Sequence, residues 1–163
     1  MSSAGISFGG LASGLDTKAI IAALMNVEQQ PINALQARRA NLSTQKGLFG
    51  DLGTLLSTLQ EESGDIAGAV KSLEGSMYVR PLELAGHDKL GTLLLKLKQF
   101  PEAEREYQTL IALNTTDRAG AYYHLAEAFY GDGKKAEAYK NVMESLKIAP
   151  SYDPALALLL KTK

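Results

Sequence analysis

The side chains able to do chemistry are few, and their spacing argues against catalysis. There are two histidines, His87 and His124, and no cysteine, which removes disulfides, thiolate metal sites and a cysteine nucleophile. Neither histidine has an acidic ligand cluster beside it, so both read as packing or surface residues rather than metal ligands. Gly9-Gly10 to Gly14 could suggest a phosphate-binding loop, but no Lys-Ser/Thr pair follows and no strand pattern precedes. Lys96 with Lys98, and Lys134 with Lys135, are short basic pairs that suit helix ends and turns better than a nucleic-acid backbone. No catalytic residue, metal or cofactor is expected, and the chemistry left is surface recognition by tyrosine and charged side chains.

The elements that must position those side chains follow from composition and periodicity. The 163 residues carry 17 basic and 18 acidic side chains, so nothing draws the chain in bulk to nucleic acid or anionic lipid. No apolar run reaches the roughly 20 residues that span a bilayer. Met1 to Gly10 lacks the basic and apolar blocks of a cleavable signal, so export by that route is not expected. Two unlike segments share the chain. Residues 1–60 hold seven charged side chains and no tyrosine; the remainder holds the other 28 charges and all seven tyrosines.

The second segment repeats. Leu56-Ser57, Leu90-Gly91 and Leu125-Ala126 align, and with them Ala69, Ala103 and Ala138, then Val79, Leu113 and Ile148, then Pro81, Thr115 and Pro150, at periods of 34 and 35 residues. Turn signals at Gly64-Asp65, Gln99-Phe100-Pro101 and Gly131-Asp132-Gly133 divide each unit into two helices. This stretch resembles a tetratricopeptide array, with its Leu-small pair, the Leu94 and Phe129 one turn on, the alanine of each second helix and the closing proline. Gln60 departs from the pattern where Leu94 and Phe129 stand, and Thr115 replaces a proline. Residues 50–151 read as about three repeats and residues 152–163 as a capping helix. That cap has an apolar outer face at Leu156, Leu158, Leu159 and Leu160 where a solvated one would be polar.

In the first segment, Ile6-Ser7-Phe8-Gly9-Gly10-Leu11-Ala12-Ser13-Gly14-Leu15-Asp16-Thr17 is followed by Ile20-Ile21, Leu24-Met25, Glu28, Pro31 and Leu35. It resembles the amino terminus of the bacterial flagellar filament cap family, the hook-associated protein FliD, over about residues 5–60. The resemblance implies a flexible leader, export through the flagellar apparatus to a location outside the cell, and a long helix that pairs with a returning carboxy-terminal helix. No segment here corresponds to that helix or to the family's middle domains. Physically, residues 1–15 are too small and polar to offset the entropy of ordering. Asp16 or Thr17 caps a helix that Pro31 ends or kinks, leaving Ile20, Ile21 and Leu24 able to fold back as a hairpin. From Asn33 a heptad emerges, Leu35, Leu42, Phe49 and Leu56, with Leu52 and Leu59 at offset positions but Arg38 and Gln45 at the earlier ones.

The expected fold is therefore all-α: a helical, coiled-coil segment over 16–60 fused to a helix-turn-helix solenoid, sharing one helix in which Leu52, Leu55, Leu56 and Leu59 serve both seam and repeat core. A natural gene fusion and an engineered helical fusion both produce such a junction, the second more simply. Self-association through Ile20, Ile21, Leu24, Leu35, Leu42, Phe49 and Leu52 is expected, giving a homo-oligomer. The concave groove should carry Thr54, Thr58, Glu61, Asp88, Lys89, Thr92, Leu95, Lys96, Tyr123, His124, Glu127 and Tyr130. The tetratricopeptide resemblance implies a peptide-binding groove, but Asp88, Thr92, Tyr123 and Glu127 stand where its carboxylate-clamp members use lysine and asparagine. The function expected is non-enzymatic protein interaction: a flagellar-cap segment carried on a repeat scaffold, or else a flagellar assembly or export factor whose groove holds a flagellar client. No membrane insertion is expected, and without flagellar export the location would be the cytoplasm.

Overall fold

The structure, a computed structural model, describes residues 16–162. The leader expected over residues 1–15 lies outside them. The described residues form seven helices and no strand: α1 (Thr17–Glu62), α2 (Ile66–Val79), α3 (Leu84–Lys96), α4 (Phe100–Ala112), α5 (Arg118–Gly131), α6 (Lys135–Ile148) and α7 (Asp153–Thr162). Contacts divide the chain into two compact units, one ending at Gln45 and the other beginning at Lys46.

In the first unit Asp16 caps α1, its carboxylate accepting from the Ala19 amide at 3.0 Å. The helix does not end at Pro31, which sits inside it. A single proline costs about 3 kcal/mol in a helix interior, and the alanine, leucine, glutamine and glutamate on either side are among the strongest helix formers. The hairpin expected from a fold-back after Pro31 is accordingly not formed. Ile20, Ile21, Leu24, Leu35 and Leu42 are all exposed.

The second unit is a stack of hairpins, and its turns show why the helices stop where they do. Gly64, Lys98 and Gly133 occupy equivalent places between first and second helices, and all three have positive φ, at 84°, 59° and 79°. Two of the three are glycine, which enters that region without penalty; Lys98 does so as an exposed exception. Asp65 caps α2 by accepting from the Gly68 amide, and Pro101 lies in the first turn of α4. Asn114 is left-handed (φ 55°) where its equivalents Arg80 and Ala149 both have φ −129°, and the one-residue lengthening follows Thr115 in the α4–α5 turn.

Side-chain size sets the packing. Ala69, Ala103 and Ala138 have no exposed surface, and Leu73, Leu93, Leu94, Tyr107, Leu110 and Leu125 fill the larger core around them. A smaller core of Ala126, Val142, Ala155 and Leu158 seats α7 on the last hairpin. Two serines add a bond that repeats with the fold. Ser76 donates to the Gly50 carbonyl and Ser145 to the Ala119 carbonyl, both at 2.7 Å and both 26 residues apart; the second repeat has Leu84 and Leu110 at those places. The last stretch of α1 is thus the first helix of the first repeat.

The leucine stripe expected to serve both seam and core does not. Leu52, Leu55, Leu56 and Leu59 are exposed, Leu56 by 46% where its equivalents Leu90 and Leu125 are 4%. The side of α1 on α2 is instead small and polar: Gly50, Gly53, Thr54 and Ser57, against Ser72 and Ser76. Leu90 and Leu125 bury themselves within the hairpin stack, whereas Leu56 stands on the outermost helix of the second unit, with its face uncovered among the described residues.

Two outcomes check this register. Ala103→Leu overpacks the second hairpin and should cost about 1–3 kcal/mol in urea unfolding; an unchanged midpoint would reject the assigned contact. Lys98→Gly relieves a left-handed residue and should add about 0.5–1 kcal/mol, with no gain from the same change at exposed Lys135, which is helical.

Candidate functional site

The groove lies within the second unit on first helices α3 and α5, flanked by the end of α1 and by α7. Its two halves differ in charge. At the α1 end, Glu61 accepts from Lys96 at 2.6 Å and pairs with Lys89 at 3.5 Å, while Lys89 also donates to Thr58 at 2.7 Å. The hydrogen bond from Lys96, with Lys89 beside it, holds the Glu61 carboxyl below its usual range against the opposing effect of partial burial. Both groove lysines are thereby turned inward to one carboxylate.

Toward α7 the groove becomes aromatic and acidic. The Tyr107 and His124 rings stack at 5.2 Å, Tyr123 tilts against His124 at 4.9 Å, and Tyr152 meets Tyr123 edge-on at 5.5 Å. Edge and offset pairs of this kind each contribute about 0.5–1.5 kcal/mol beyond the area they bury. Tyr107 is fully buried, its hydroxyl 3.2 Å from that of Thr92. Burial pushes its phenol far above the ordinary value, with Asp88 and Glu127 adding to the rise. Tyr123 and Tyr152 are raised for the same first reason, again with Glu127 nearby. His124 pairs with Glu127 at 3.2 Å, and Asp88 is exposed.

Of the groove residues read from the sequence, Leu95 is half-buried against the larger core and Tyr130 against the smaller one. The others remain at least partly accessible. Tyr107 and Tyr152 escaped sequence reasoning. Tyr107 belongs to a second helix, which groove assignment by register leaves out; Tyr152 precedes the cap. His87 serves structure: Nε2 donates to the Pro81 carbonyl at 2.9 Å, and Nδ1 faces Glu106 at 2.6 Å. Lys134 is spent on Asp132 and the buried Glu104, over the Phe129 ring. Gly5-Ile6-Ser7-Phe8-Gly9, with the Gly-x-Ser-x-Gly spacing of a nucleophile turn, also escaped sequence reasoning, and it lies outside the described residues. Seam residues Phe49 and Leu52 are exposed in the second unit, as Ile20, Ile21, Leu24, Leu35 and Leu42 are in the first.

Among known proteins, residues 13–80 match the family described as flagellar hook-associated protein 2 N-terminus. That match runs past Gln60 to the end of α2. The flagellar hook-associated protein 2 of Halalkalibacterium halodurans is 26% identical over 136 residues, covering 80% of this chain but 26% of that protein. This chain therefore spans about a quarter of its relative's length, and an alignment so long crosses Gln60. Among solved structures, MamA superposes with a TM-score of 0.66 at 21% identity, over 71% of this chain and 63% of that one. The first tetratricopeptide domain of Spaghetti (RPAP3), bound to an HSP90 peptide, gives 0.63 at 21%, over 71% and 90%. The second domain of human RPAP3, in complex with an HSP70 peptide, gives 0.61 at 17%, over 69% and 97%. The fold is that of tetratricopeptide helical repeats, and the amino-terminal segment is similar to that of the flagellar cap family. No helix among the described residues is long and apolar enough to cross a membrane.

The lowered Glu61 carboxyl ties stability to pH with a definite sign. A carboxylate whose folded pKa lies below its unfolded value stabilises the fold fully above the ordinary glutamate range, and that contribution is lost as pH falls through and below it. Glu61→Gln should flatten the acid limb of a stability-against-pH curve and lower stability at neutral pH. An acid limb identical to that of the parent would exclude the Lys89–Glu61–Lys96 group as its source.

Proposed function

We propose that this chain is a non-enzymatic structural protein of the bacterial flagellum, in which α1 is an assembly helix and the repeat array the scaffold that carries it. The supporting observation is the exposure of α1. Among the described residues, fourteen of the 20 exposed large apolar side chains lie on that helix. Three glycines and Pro31 weaken it by roughly 6 kcal/mol relative to alanine. Covering four large side chains, at about 1.5–3 kcal/mol each, offsets that cost. The heptad of Leu35, Leu42, Phe49 and Leu56 has the spacing for a facing helix, and the proposed partner is α1 of a second copy, which offers the same spacing. Flagellar location and export come from the likeness to hook-associated protein 2.

A second reading is favoured by the alignment that crosses Gln60, since one flagellar relative matching both segments supports a single natural reading frame over an engineered splice. In that reading the chain is an assembly or export factor and its groove holds a flagellar client. The RPAP3 domains are seen with HSP90 and HSP70 peptides, and the likeness in fold supports a peptide in the aromatic groove here.

Sedimentation equilibrium checks the first reading. The parent should form a concentration-dependent oligomer, and Leu42→Glu with Phe49→Glu should dissociate it while circular dichroism shows the hairpins intact. A parent that stays monomeric, or an oligomer indifferent to both charges, would reject assembly through α1. Binding of flagellin or cap fragments, weakened by Tyr123→Ala, is the outcome expected of the second reading.

A further inference from the structure

The charge of the groove bears on what it holds; the inference rests on the groove being a protein-binding surface and adds the chemistry of the ligand. A cleft of about 310 Å³ opens between the start of α3, the turn from α4 to α5, and the first turns of α5. Its lining combines apolar Leu84, Ala85, Leu110 and Ala121 with Thr115 and Thr116; its formal charges are the carboxylates of Asp88 and Asp117, and no lysine or arginine lines it. The His124 imidazole forms part of the wall, held by its stack on Tyr107. Neither carboxylate is in an ion pair among the described residues. Asp117 caps α5 by accepting from the Gly120 amide at 2.8 Å. The lysines that could neutralise the groove are both engaged by Glu61.

A cleft that sets apolar side chains beside two carboxylates and no cation is complementary to a side chain with an aliphatic stem and a cationic head. A guanidinium also lies flat on an aromatic ring and offers several donors to carboxylates, which an ammonium does less well. We infer that this cleft anchors an arginine- or lysine-bearing segment of a protein partner, with arginine preferred. An acidic peptide would instead meet Asp88, Asp117 and Glu127.

The test titrates the full chain with a fluorescein-labelled peptide, Gly-Leu-Arg-Ala-Leu-Arg-Gly, by fluorescence anisotropy. Two companion peptides carry citrulline or glutamate in place of both arginines. The arginine peptide should bind at least tenfold more tightly than the citrulline one and weaken as salt is raised. Asp88→Asn and Asp117→Asn should each cut its affinity fivefold or more, with unchanged circular dichroism, because asparagine still caps a helix. Amide shifts should centre on Asp88, Ala121 and His124. Citrulline or glutamate peptides binding as well, with shifts in the same groove, would overturn the inference and leave the groove as a peptide site. No binding by any peptide would overturn both.

Discussion

How closely the two helices of a hairpin can approach governs everything else in the repeat array. Ala69, Ala103 and Ala138 on the second helices are fully buried, and the small residues Ser57, Gly91 and Ala126 stand at the matching place on the first. The Tyr107 ring lies so near Gly91 that an added Cβ would come within 2.8 Å of it. That proximity lets Ser76 and Ser145 reach carbonyls of the facing helix. It also seats Tyr107 under the groove, where its ring supports His124. A larger residue at the contact would separate the helices and lose backbone-directed bonds and aromatic floor together, because a close-packed interior transmits the displacement.

The first hairpin obeys the same constraint with different chemistry. Its first helix turns glycine, serine and threonine toward α2, and Gly53 has Ser76 Cβ and the Ser72 carbonyl about 3.0–3.1 Å from where its own Cβ would be. The leucines of that stretch consequently face away. Ser57 Oγ is buried there with no hydrogen-bond partner, a cost the alanine and glycine of the later repeats avoid. The polar contact secures the junction while leaving the leucines of that stretch uncovered.

Charge in the groove is distributed by the same geometry. Where α1 flanks α3, the long lysine stems reach Glu61 and are neutralised; where α3 and α5 diverge from the α4–α5 turn, no cation is near enough to pair with Asp88. The turn from α4 to α5 is one residue longer than that from α2 to α3, and Asp117 at its end heads α5. A local irregularity in the repeat thus places a carboxylate at the cleft.

The all-helical repeat was legible in the sequence because small residues at fixed spacing and turn residues at fixed offsets act locally: Gly64, Gly133, Asp65 and Pro101 stop and start helices whatever surrounds them. The similarity to the flagellar cap family was legible over about residues 5–60, since a run of consecutive residues needs no geometry to be recognised, whereas its extension to residue 80 was not. Of the two outcomes expected at Pro31, an end or a kink, the helix does not end there, because the propensity of its neighbours, summed along a helix, outweighs one lost bond. The facing of α1 was decided by tertiary structure alone. Leucines and small polar residues both recur at helical period there, and periodicity names two faces without saying which one is buried; the serines of α2, able to bond only to a closely approaching backbone, made the choice. Tyr107 was hidden for the same reason: only packing brings a second-helix ring beneath a first-helix groove.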